Sequence, residues 1–255
     1  MYSPHPGGGR AELGQNFLHD RRVAAQITSL VGQWPRSPIV ELGPGDGALT
    51  SGLIGLGAPV TAVELDPRMA QHLRKRHGRR LHVVNADLLR YMFEEPCYVV
   101  ANVPFHLTTP LLRRLLAAPH WKRAALLVQW EVARKRAAVG GTTLMTARWW
   151  PWFEFSLAGR VSARSFRPVP SVDGGILTIE RREHPHVTWS NRRAYQQLVE
   201  QVFSGRGSGI GQIACRQLGR GTARAWMKAQ RVDPHKLPKD LTASQWADLF
   251  ARTAG

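Results

Sequence analysis

The sequence has few cysteines, few acidic residues and no long apolar run. Its two cysteines, Cys97 and Cys215, lie far apart among 255 residues, which excludes a disulfide framework and a cysteine-based metal site and favours a reducing compartment. The ten histidines show no His-Glu-x-x-His spacing, so we expect no metal. No stretch reaches 18 apolar residues, and residues 1–11 have the character of a flexible tail without the apolar segment of a signal peptide. We therefore expect a soluble, cytoplasmic, monomeric protein with no membrane partner.

Positive charge dominates what is present. Lys and Arg number 35 against 18 Asp and Glu, the net charge is +17, and only six of the 35 cations are lysine. The guanidinium group grips phosphate with two parallel hydrogen bonds and stacks on bases, so this balance favours a nucleic-acid partner. The apolar fraction of 43% is high enough for a folded core and excludes global disorder.

Short apolar runs alternate with helical patterns along the first part of the chain. The runs that resemble strands are Ile39–Leu42, Val60–Leu65, Leu81–Ala86, Cys97–Val103 and Ala124–Trp130. Helical patterns lie near 48–56, 67–77 and 110–118. This alternation is typical of a parallel, doubly wound α/β sheet. Two later runs, Trp152–Val161 and Gly174–Glu180, are predicted to form an antiparallel hairpin at the edge of that sheet.

A charged stretch with a proline, at 181–185, marks a change in composition. Beyond it only helical patterns occur, near 190–203 and 222–231 and after a capping box that begins at Thr242. We predict a Rossmann-like catalytic domain over 12–182 and a small helical RNA-binding domain over 183–255. Positive charge is spread over both.

A glycine-rich loop follows the first predicted strand. Gly43-Pro44-Gly45-Asp46-Gly47 lets a ligand approach the backbone closely, although such a loop by itself is weak evidence. Glu64 ends the second strand, where it can accept hydrogen bonds from both hydroxyls of a ribose, and Asp87 follows the third, where it can accept from an adenine amino group. The sequence lacks the Gly-Lys-Ser/Thr of a nucleoside triphosphate site. These features indicate an adenosine-containing ligand. The motif that follows is not typical of a dehydrogenase, so it favours S-adenosylmethionine over NAD.

That motif is Asn102-Val103-Pro104-Phe105, at the end of the fourth strand. The Asn102 amide oxygen and the Val103 carbonyl can accept hydrogen bonds from both N–H groups of an exocyclic amine, while Phe105 stacks on the base. Holding those protons favours a pyramidal nitrogen with its lone pair available for attack. The pattern predicts methyl transfer to the amino group of a base.

The series of motifs resembles the rRNA adenine N6-methyltransferases, and within them the erythromycin-resistance (Erm) family that modifies one adenine of 23S rRNA. The motifs occur in the family's order: Gln15–Leu18, Glu41–Gly47, Glu64–Asp66, Asn85–Asp87, Asn102–Phe105 and Phe166–Asp173. The stretches Asn102–Leu116 and Leu126–Phe155 look most like the branch found in macrolide-producing bacteria.

This resemblance implies a role for particular residues. It places cofactor contacts at Asn16, Leu18, Gly43, Glu64, Asp87 and Asn102. It places the target base at Asn102, Val103 and Phe105, with Phe166 over the other face of the adenine and His106 as a wall of the pocket. The family often has Tyr in place of Phe105 and Asn in place of His106; loss of the hydroxyl leaves stacking intact.

Four arginines are predicted to contact RNA phosphates. Arg113 and Arg114 follow the fourth strand, and Arg134 and Arg136 follow the fifth, so all four should lie near the substrate edge of the sheet. The cluster at 74–80 is predicted to be an ordinary solvated surface, and Arg160, Arg164 and Arg167 form a further basic set.

Two other functions share most of these motifs. One is a small-subunit (16S) rRNA adenine dimethyltransferase, and the other is a catalytically inactive RNA-binding factor of the same fold. The sequence of Trp130–Phe155 and the short C-terminal helical domain favour the Erm family over the small-subunit enzymes. Intact Glu64, Asp87 and Asn102 argue against the second.

Overall fold

A seven-stranded sheet runs through the part of the chain that the computed structural model describes, residues 16–253. The tail predicted over 1–11 lies outside the described residues, as does Gln15. The strands are β1 Phe17–Leu18, β2 Ile39–Leu42, β3 Val60–Glu64, β4 His82–Asn85, β5 Cys97–Asn102, β6 Trp121–Gln129, β7 Phe153–Val161, β8 Phe166–Arg167 and β9 Gly174–Arg181. Their order in the sheet is β4-β3-β2-β5-β6-β9-β7, and β1 and β8 form a separate antiparallel pair.

Within residues 16–253, ten α-helices connect and follow the strands. They are α1 Arg21–Gly32, α2 Thr50–Gly55, α3 Pro67–His77, α4 Thr108–Ala117, α5 Trp130–Arg136, α6 Leu144–Trp149, α7 Arg192–Phe203, α8 Ile210–Leu218, α9 Arg220–Ala229 and α10 Ala243–Ala251. None of these described helices is both long and apolar enough to cross a membrane.

The strands β2 to β6 are parallel and reverse their order beside β2. The chain first adds β3 and β4 on one side of β2, and then places β5 and β6 on the other side. The carboxyl ends of β2 and β5 therefore border the topological switch point, where ligands bind in doubly wound sheets. Asn102 ends β5 and pairs with Leu127 of β6, so these strands share that edge.

The sequence-based strands and helices are largely confirmed. Each of the five apolar runs overlaps an observed strand, and α2, α3 and α4 correspond to the three predicted helical patterns. The two later runs form β7 and β9, which are neighbours in the sheet; β7 is its edge strand, and β9 lies between β6 and β7. Buried side chains explain the parallel strands, since all four residues of β2 and nearly all of β5 are buried.

Helix α1 was not predicted, although the sequence contains its signals. Asp20 caps its start by accepting a hydrogen bond from the backbone N–H of Arg22 at 2.9 Å. Val23, Ile27 and Val31 are buried at a spacing of four residues, which is the spacing of one helical face. The same capping chemistry begins α3, where Asp66 accepts from Arg68 N and Pro67 occupies the first turn.

The chain divides into two compact units that do not coincide with the predicted boundary at residue 182. The first contains the described residues up to Ala133 together with Leu157–Thr178. Its core is built from apolar side chains of β2, β3, β5, β6 and the helices α1 to α3.

The second unit joins Arg134–Ser156 to the chain from Ile179 onward. Contacts within this unit explain why the earlier segment belongs to it. The Tyr195 hydroxyl in α7 donates to the carbonyl of Ala147 in α6 at 2.8 Å, and the Thr142 N–H donates to the carbonyl of Lys239 at 2.7 Å. The buried Trp152 ring also packs edge-on against Tyr195. The predicted capping box at Thr242 is present.

Candidate active site

A cavity of about 250 Å³ lies at the switch point of the sheet, within the first unit. Residues from five segments line it: 16–17, 41–49, 64–65, 87–89 and 102–107. Four of these segments follow or end the parallel strands β2, β3, β4 and β5. Distant motifs of the sequence thus meet at one place because parallel strands present their carboxyl ends to the same edge.

The glycine loop after β2 has the backbone that its sequence predicts. Gly43 and Gly45 have φ values of +66° and +55°, in the left-handed region that other residues rarely adopt. A Cβ atom on Gly43 would lie 3.2 Å from Cγ1 of Val103, and one on Gly45 would lie 3.1 Å from Cε1 of Phe17. The loop therefore packs closely against the segments that carry the other predicted site residues.

Glu64 lies at the cavity with both carboxylate oxygens already in use. Oε2 accepts a hydrogen bond from the N–H of Gly45 at 3.0 Å, and Oε1 accepts from the N–H of Asp66 at 2.8 Å. Each carboxylate oxygen has a second lone pair, so the side chain can still accept hydrogen bonds from hydroxyl groups. Glu64 therefore fixes the glycine loop and offers acceptors to a ligand, two roles of which the sequence predicted only the second.

Asp87 follows β4 and also lines the cavity. Its Oδ1 accepts from the N–H of Leu89 at 2.8 Å, and its Oδ2 lies 3.8 Å from Nε of the exposed Arg90. Its neighbour in the cavity, Leu65, is 56% exposed despite its size. A large apolar side chain beside two carboxylates suits a ligand with a flat ring and polar edges.

Glu41 is a site residue to which the sequence analysis gave no role. It lies within the run Val40-Glu41-Leu42 as a carboxylate that is 1% exposed, and it lines the cavity. The Thr50 hydroxyl donates to its Oε2 at 2.7 Å. Burial raises the pKa of Glu41 from 4.5 to about 7, and the charge of Glu64 adds to the effect. A charged residue within an otherwise apolar buried strand was the available signal.

The Asn102–Phe105 segment adjoins the glycine loop. Asn102 is half-buried and lines the cavity. Val103 is buried, and the short distance at Gly43 places its side chain against that loop. Phe105 begins a short 3₁₀ helix, and its ring contacts Phe166 edge-to-face with centroids 6.2 Å apart. His106 is exposed and lines the cavity as expected for a pocket wall.

Two residues are placed differently from their predicted roles. Phe166 is fully buried and belongs to the core, where its ring supports Phe105. Like Val103 and Phe105, it is not among the residues that line the cavity. Leu18 is also a core residue, in the strand that pairs with Phe166. Asn16, immediately before that strand, does line the cavity.

Comparison with known proteins gives the family of the chain. The family model for ribosomal RNA adenine dimethylase matches residues 8–254. The chain belongs to that family. This confirms the resemblance seen in the motifs, the Rossmann-like fold and the enzyme class, an rRNA adenine N6-methyltransferase.

Individual relatives refine the comparison. The chain is 52% identical over 244 residues to the mycinamicin-resistance protein MyrB of Micromonospora griseorubida, covering 95% of this chain and 78% of that protein. It is 49% identical over 213 residues to an rRNA adenine N-6-methyltransferase of Corynebacterium diphtheriae, covering 83% and 84%. Among solved structures, the 23S rRNA methyltransferase ErmE superposes with a TM-score of 0.85 at 33% identity, covering 94% of this chain and all of that one.

The four arginines predicted to contact RNA differ in their environments. Arg113 is exposed on α4. Arg114 donates to the carbonyls of Leu89 and Tyr91 at 3.3 and 3.2 Å, and so fixes the loop that carries Asp87. These hydrogen bonds draw its side chain onto the protein, and its contact with RNA phosphate remains a prediction.

The second pair lies in the last turn of α5, and both residues belong to the second unit. Arg136 donates to the Thr143 hydroxyl at 2.6 Å, and burial lowers the pKa of its guanidinium. It therefore holds the connection between α5 and α6. Arg134 is half-buried. Its contact with phosphate remains a prediction.

The side chains that line the cavity suit an organic ligand. They offer hydrogen-bond acceptors, from Glu41, Glu64, Asp87 and Asn102, next to apolar walls. Within residues 16–253, no group of three or more His, Cys, Asp or Glu side chains is arranged to hold a metal ion.

Proposed function

We propose that this methyltransferase transfers a methyl group from S-adenosylmethionine to N6 of one adenine in the peptidyl-transferase loop of 23S rRNA, and that it confers macrolide resistance. The observation that carries the proposal is the single cavity that joins Glu64 and Asp87 to Asn102. The proposal is supported by a relative named for mycinamicin resistance and by the similarity to a 23S rRNA methyltransferase.

The charges of the cavity fit the cofactor. S-adenosylmethionine, when bound, supplies a methyl group activated by a positively charged sulfonium, and it carries an ammonium group as well. Glu41 and Glu64 are both nearly fully buried at the cavity, and a cation between them would reduce their mutual repulsion. Glu64 would hold the ribose, Asp87 the adenine amino group, and Leu65 would cover the adenine ring.

The target amine would be held by acceptors at the end of β5. The Asn102 amide oxygen and the Val103 carbonyl would each accept a hydrogen bond from one N–H of the amine, which keeps the nitrogen lone pair out of conjugation with the ring. Phe105 would stack on the base, held at its angle by the edge-to-face contact with Phe166. The proton released after transfer would go to water, so the enzyme needs no charged general base.

RNA would be bound by positive surfaces of both units. In the second unit, α8 and α9 border a groove of about 540 Å³ lined by Arg216, Arg220, Arg224 and His235. No acidic side chain is found among the described residues that line it. Arg220 and Arg224 are four residues apart on α9, where like charges cost a helix roughly 0.2–0.5 kcal/mol. A phosphate backbone would supply the missing negative charge.

The reaction can be tested by mass spectrometry of purified 23S and 16S rRNA after incubation with the enzyme and S-adenosylmethionine. We expect methyl groups on one adenine of protein-free 23S rRNA and poor labelling of assembled 50S subunits, since a base packed in the finished subunit is costly to extract. Asn102→Ala should lower turnover at saturating cofactor far more than RNA affinity. Labelling confined to 16S rRNA would refute the proposal in favour of the small-subunit activity.

The groove in the second unit can be tested separately by the salt dependence of RNA binding. Replacing Arg220 and Arg224 with Gln should reduce the slope of log K against log salt by about 0.7–0.9 for each phosphate that is no longer neutralised. Arg193→Gln is the control, because Arg193 is exposed on α7 and does not line the groove. Equal slopes for the double variant and the control would show that the groove does not bind RNA.

Resistance can be tested in a macrolide-sensitive bacterial host. Cells expressing the enzyme should grow at macrolide concentrations that stop cells expressing Asn102→Ala, because methyl groups on N6 fill the drug site and remove a donor. Lincosamide and streptogramin B resistance should follow where two methyl groups are added. Equal sensitivity of the two strains, with the 23S adenine methylated, would refute the resistance part of the proposal.

A further inference from the structure

A second concave surface lies beyond the end of β6, in the first unit. Its volume is about 410 Å³, and Gln129, Trp130, Glu131, Arg160, Ser171 and Asp173 are among the residues that line it. None of these residues lines the active-site cavity. The reaction derived above does not use them.

Arg160 is held in one orientation at this surface. Its Nε and Nη2 both donate to Oδ2 of Asp173, at 2.8 and 2.7 Å. Its guanidinium carbon lies 5.1 Å from the ring centroid of Trp130, over the face of the indole. Asp173 is itself fixed, since its Oδ1 accepts from the N–H of Ala163 at 2.9 Å and its carbonyl accepts from the N–H of Trp130 at 2.8 Å.

This arrangement keeps a planar cation exposed. The Arg160 side chain retains 60% of its accessible surface. An exposed ion pair of this kind contributes little to stability. Ordering a free arginine costs side-chain entropy. The Arg160 side chain is already ordered in the folded protein. A flat ligand can therefore stack on the exposed side of its guanidinium without a further loss of side-chain entropy.

The surface opens at the same edge of the sheet as the active site. Trp130 follows β6 three residues after Leu127, which pairs with Asn102 of β5. Neighbouring strands lie about 4.8 Å apart and a strand advances about 3.3 Å per residue, so the backbone of Trp130 lies roughly 11 Å from that of Asn102. The Arg160 guanidinium lies over the Trp130 ring. A base that flanks the target adenine in the same RNA strand therefore comes within reach.

The charge of the surface favours a base over a phosphate. Asp173 and Glu131 offset the single positive charge of Arg160, so the lining has no excess of positive charge for a phosphate group. Gln129 and Ser171 offer hydrogen-bonding groups suited to the edge of a base. Unpaired RNA bases commonly stack on aromatic rings and on guanidinium planes.

We propose that Arg160, backed by Trp130 and fixed by Asp173, is a stacking platform for an unpaired base of the RNA substrate that adjoins the target adenine. The proposal rests on the proposed function in that the substrate is an RNA loop. It assigns Arg160 a positioning role, because the residue touches a flanking base and not the reacting amine.

The platform can be tested with an RNA hairpin of the peptidyl-transferase loop that carries 2-aminopurine in turn at each position flanking the target adenine. Stacking quenches this fluorophore, so one position should lose fluorescence on binding to the enzyme and should keep it with Arg160→Ala. Hairpin affinity should fall about tenfold, the size expected for loss of a base-stacking side chain. KM for the hairpin should rise in proportion, with kcat at saturating RNA and cofactor affinity changed less than about twofold.

Two variants separate stacking from charge and from folding. Arg160→Lys keeps the charge and a partner for Asp173 but removes the planar group, so it should resemble Arg160→Ala in fluorescence and KM while unfolding at the wild-type temperature. Arg164→Ala is the control, since Arg164 is exposed four residues further along and has no aromatic contact among the described residues. The proposal is overturned if Arg160→Lys behaves as wild type, if Arg160→Ala matches Arg164→Ala, or if no flanking position is quenched.

Failure of the proposed function would look different. An enzyme that methylates 16S and not 23S rRNA would refute the 23S assignment. In that case the same measurement on the 16S target loop, with an Arg160-dependent quench at a flanking base, would still support the platform.

Discussion

The buried carboxylate of Glu41 makes the stability of this protein depend on pH in a defined window. Its side chain is 1% exposed and has the Thr50 hydroxyl as a hydrogen-bond donor at 2.7 Å. Burial is the largest influence and raises the pKa from 4.5 to about 7, while the Thr50 hydrogen bond lowers it and the charge of Glu64 raises it. We expect Glu41→Gln to remove this dependence, because Gln keeps an acceptor for Thr50 without a charge to desolvate.

The size and sign of the effect follow from proton linkage. One pKa unit corresponds to about 1.4 kcal/mol, so a rise from 4.5 to about 7 corresponds to about 3 kcal/mol. Between these pH values the folded protein binds a proton at Glu41 that the unfolded chain has released. The free energy of unfolding therefore has its full Glu41 contribution below pH 4.5, loses it as pH rises, and has lost it above about pH 7.

The measurement is urea unfolding of the wild type and Glu41→Gln between pH 4 and pH 8. Subtracting the two curves cancels groups that titrate alike in both proteins. The Gln variant should gain about 3 kcal/mol relative to wild type from pH 4.5 to about 7. Glu94→Gln, at an exposed carboxylate, should show no such change. A difference between wild type and Glu41→Gln that stays constant within about 1 kcal/mol across this range would show that the pKa of Glu41 is not raised, since that change is less than one pKa unit.

Other substitutions test the cavity and the arginines. Gly43→Ala should cost about 1–2 kcal/mol of stability, because φ is +66° there, and should weaken S-adenosylmethionine binding; calorimetry showing neither change would contradict the role of the loop. Glu64→Ala should weaken cofactor binding by roughly 1.5–3 kcal/mol, as expected for hydrogen bonds to a charged group, and unchanged affinity would remove it from the site. Arg114→Ala should lower the melting temperature, and Arg113→Ala should leave it unchanged while reducing the salt slope of RNA binding by about 0.7–0.9. The reverse pattern would show that their environments are assigned wrongly.

Local sequence was sufficient to predict the five parallel strands and the motifs at their ends. The position and length of the apolar runs were sufficient to predict β2 to β6, because buried parallel strands are continuous apolar runs whatever packs on them. The glycine loop, Glu64, Asp87 and Asn102 were found for a related reason. Each ends or follows a strand, and the carboxyl ends of parallel strands meet at one edge, so local sequence was enough to predict their convergence.

Where the role of a residue depends on a distant partner, only the tertiary structure reveals that role. Arg114 and Arg113 are adjacent in sequence and chemically alike, yet only Arg114 meets the carbonyls of Leu89 and Tyr91. Phe166 was expected at the base and is instead a fully buried support for Phe105. These outcomes depend on contacts across 23 to 61 positions of the chain, which no local pattern encodes.

The division into units shows the same limit. A charged, proline-containing stretch at 181–185 suggested a boundary, because such stretches are usually linkers. The structure instead assigns Arg134–Ser156 to the second unit, where Tyr195 binds the carbonyl of Ala147 and Trp152 is buried. Composition marks where a chain is exposed, but the packing of buried aromatic rings decides which segments form one core.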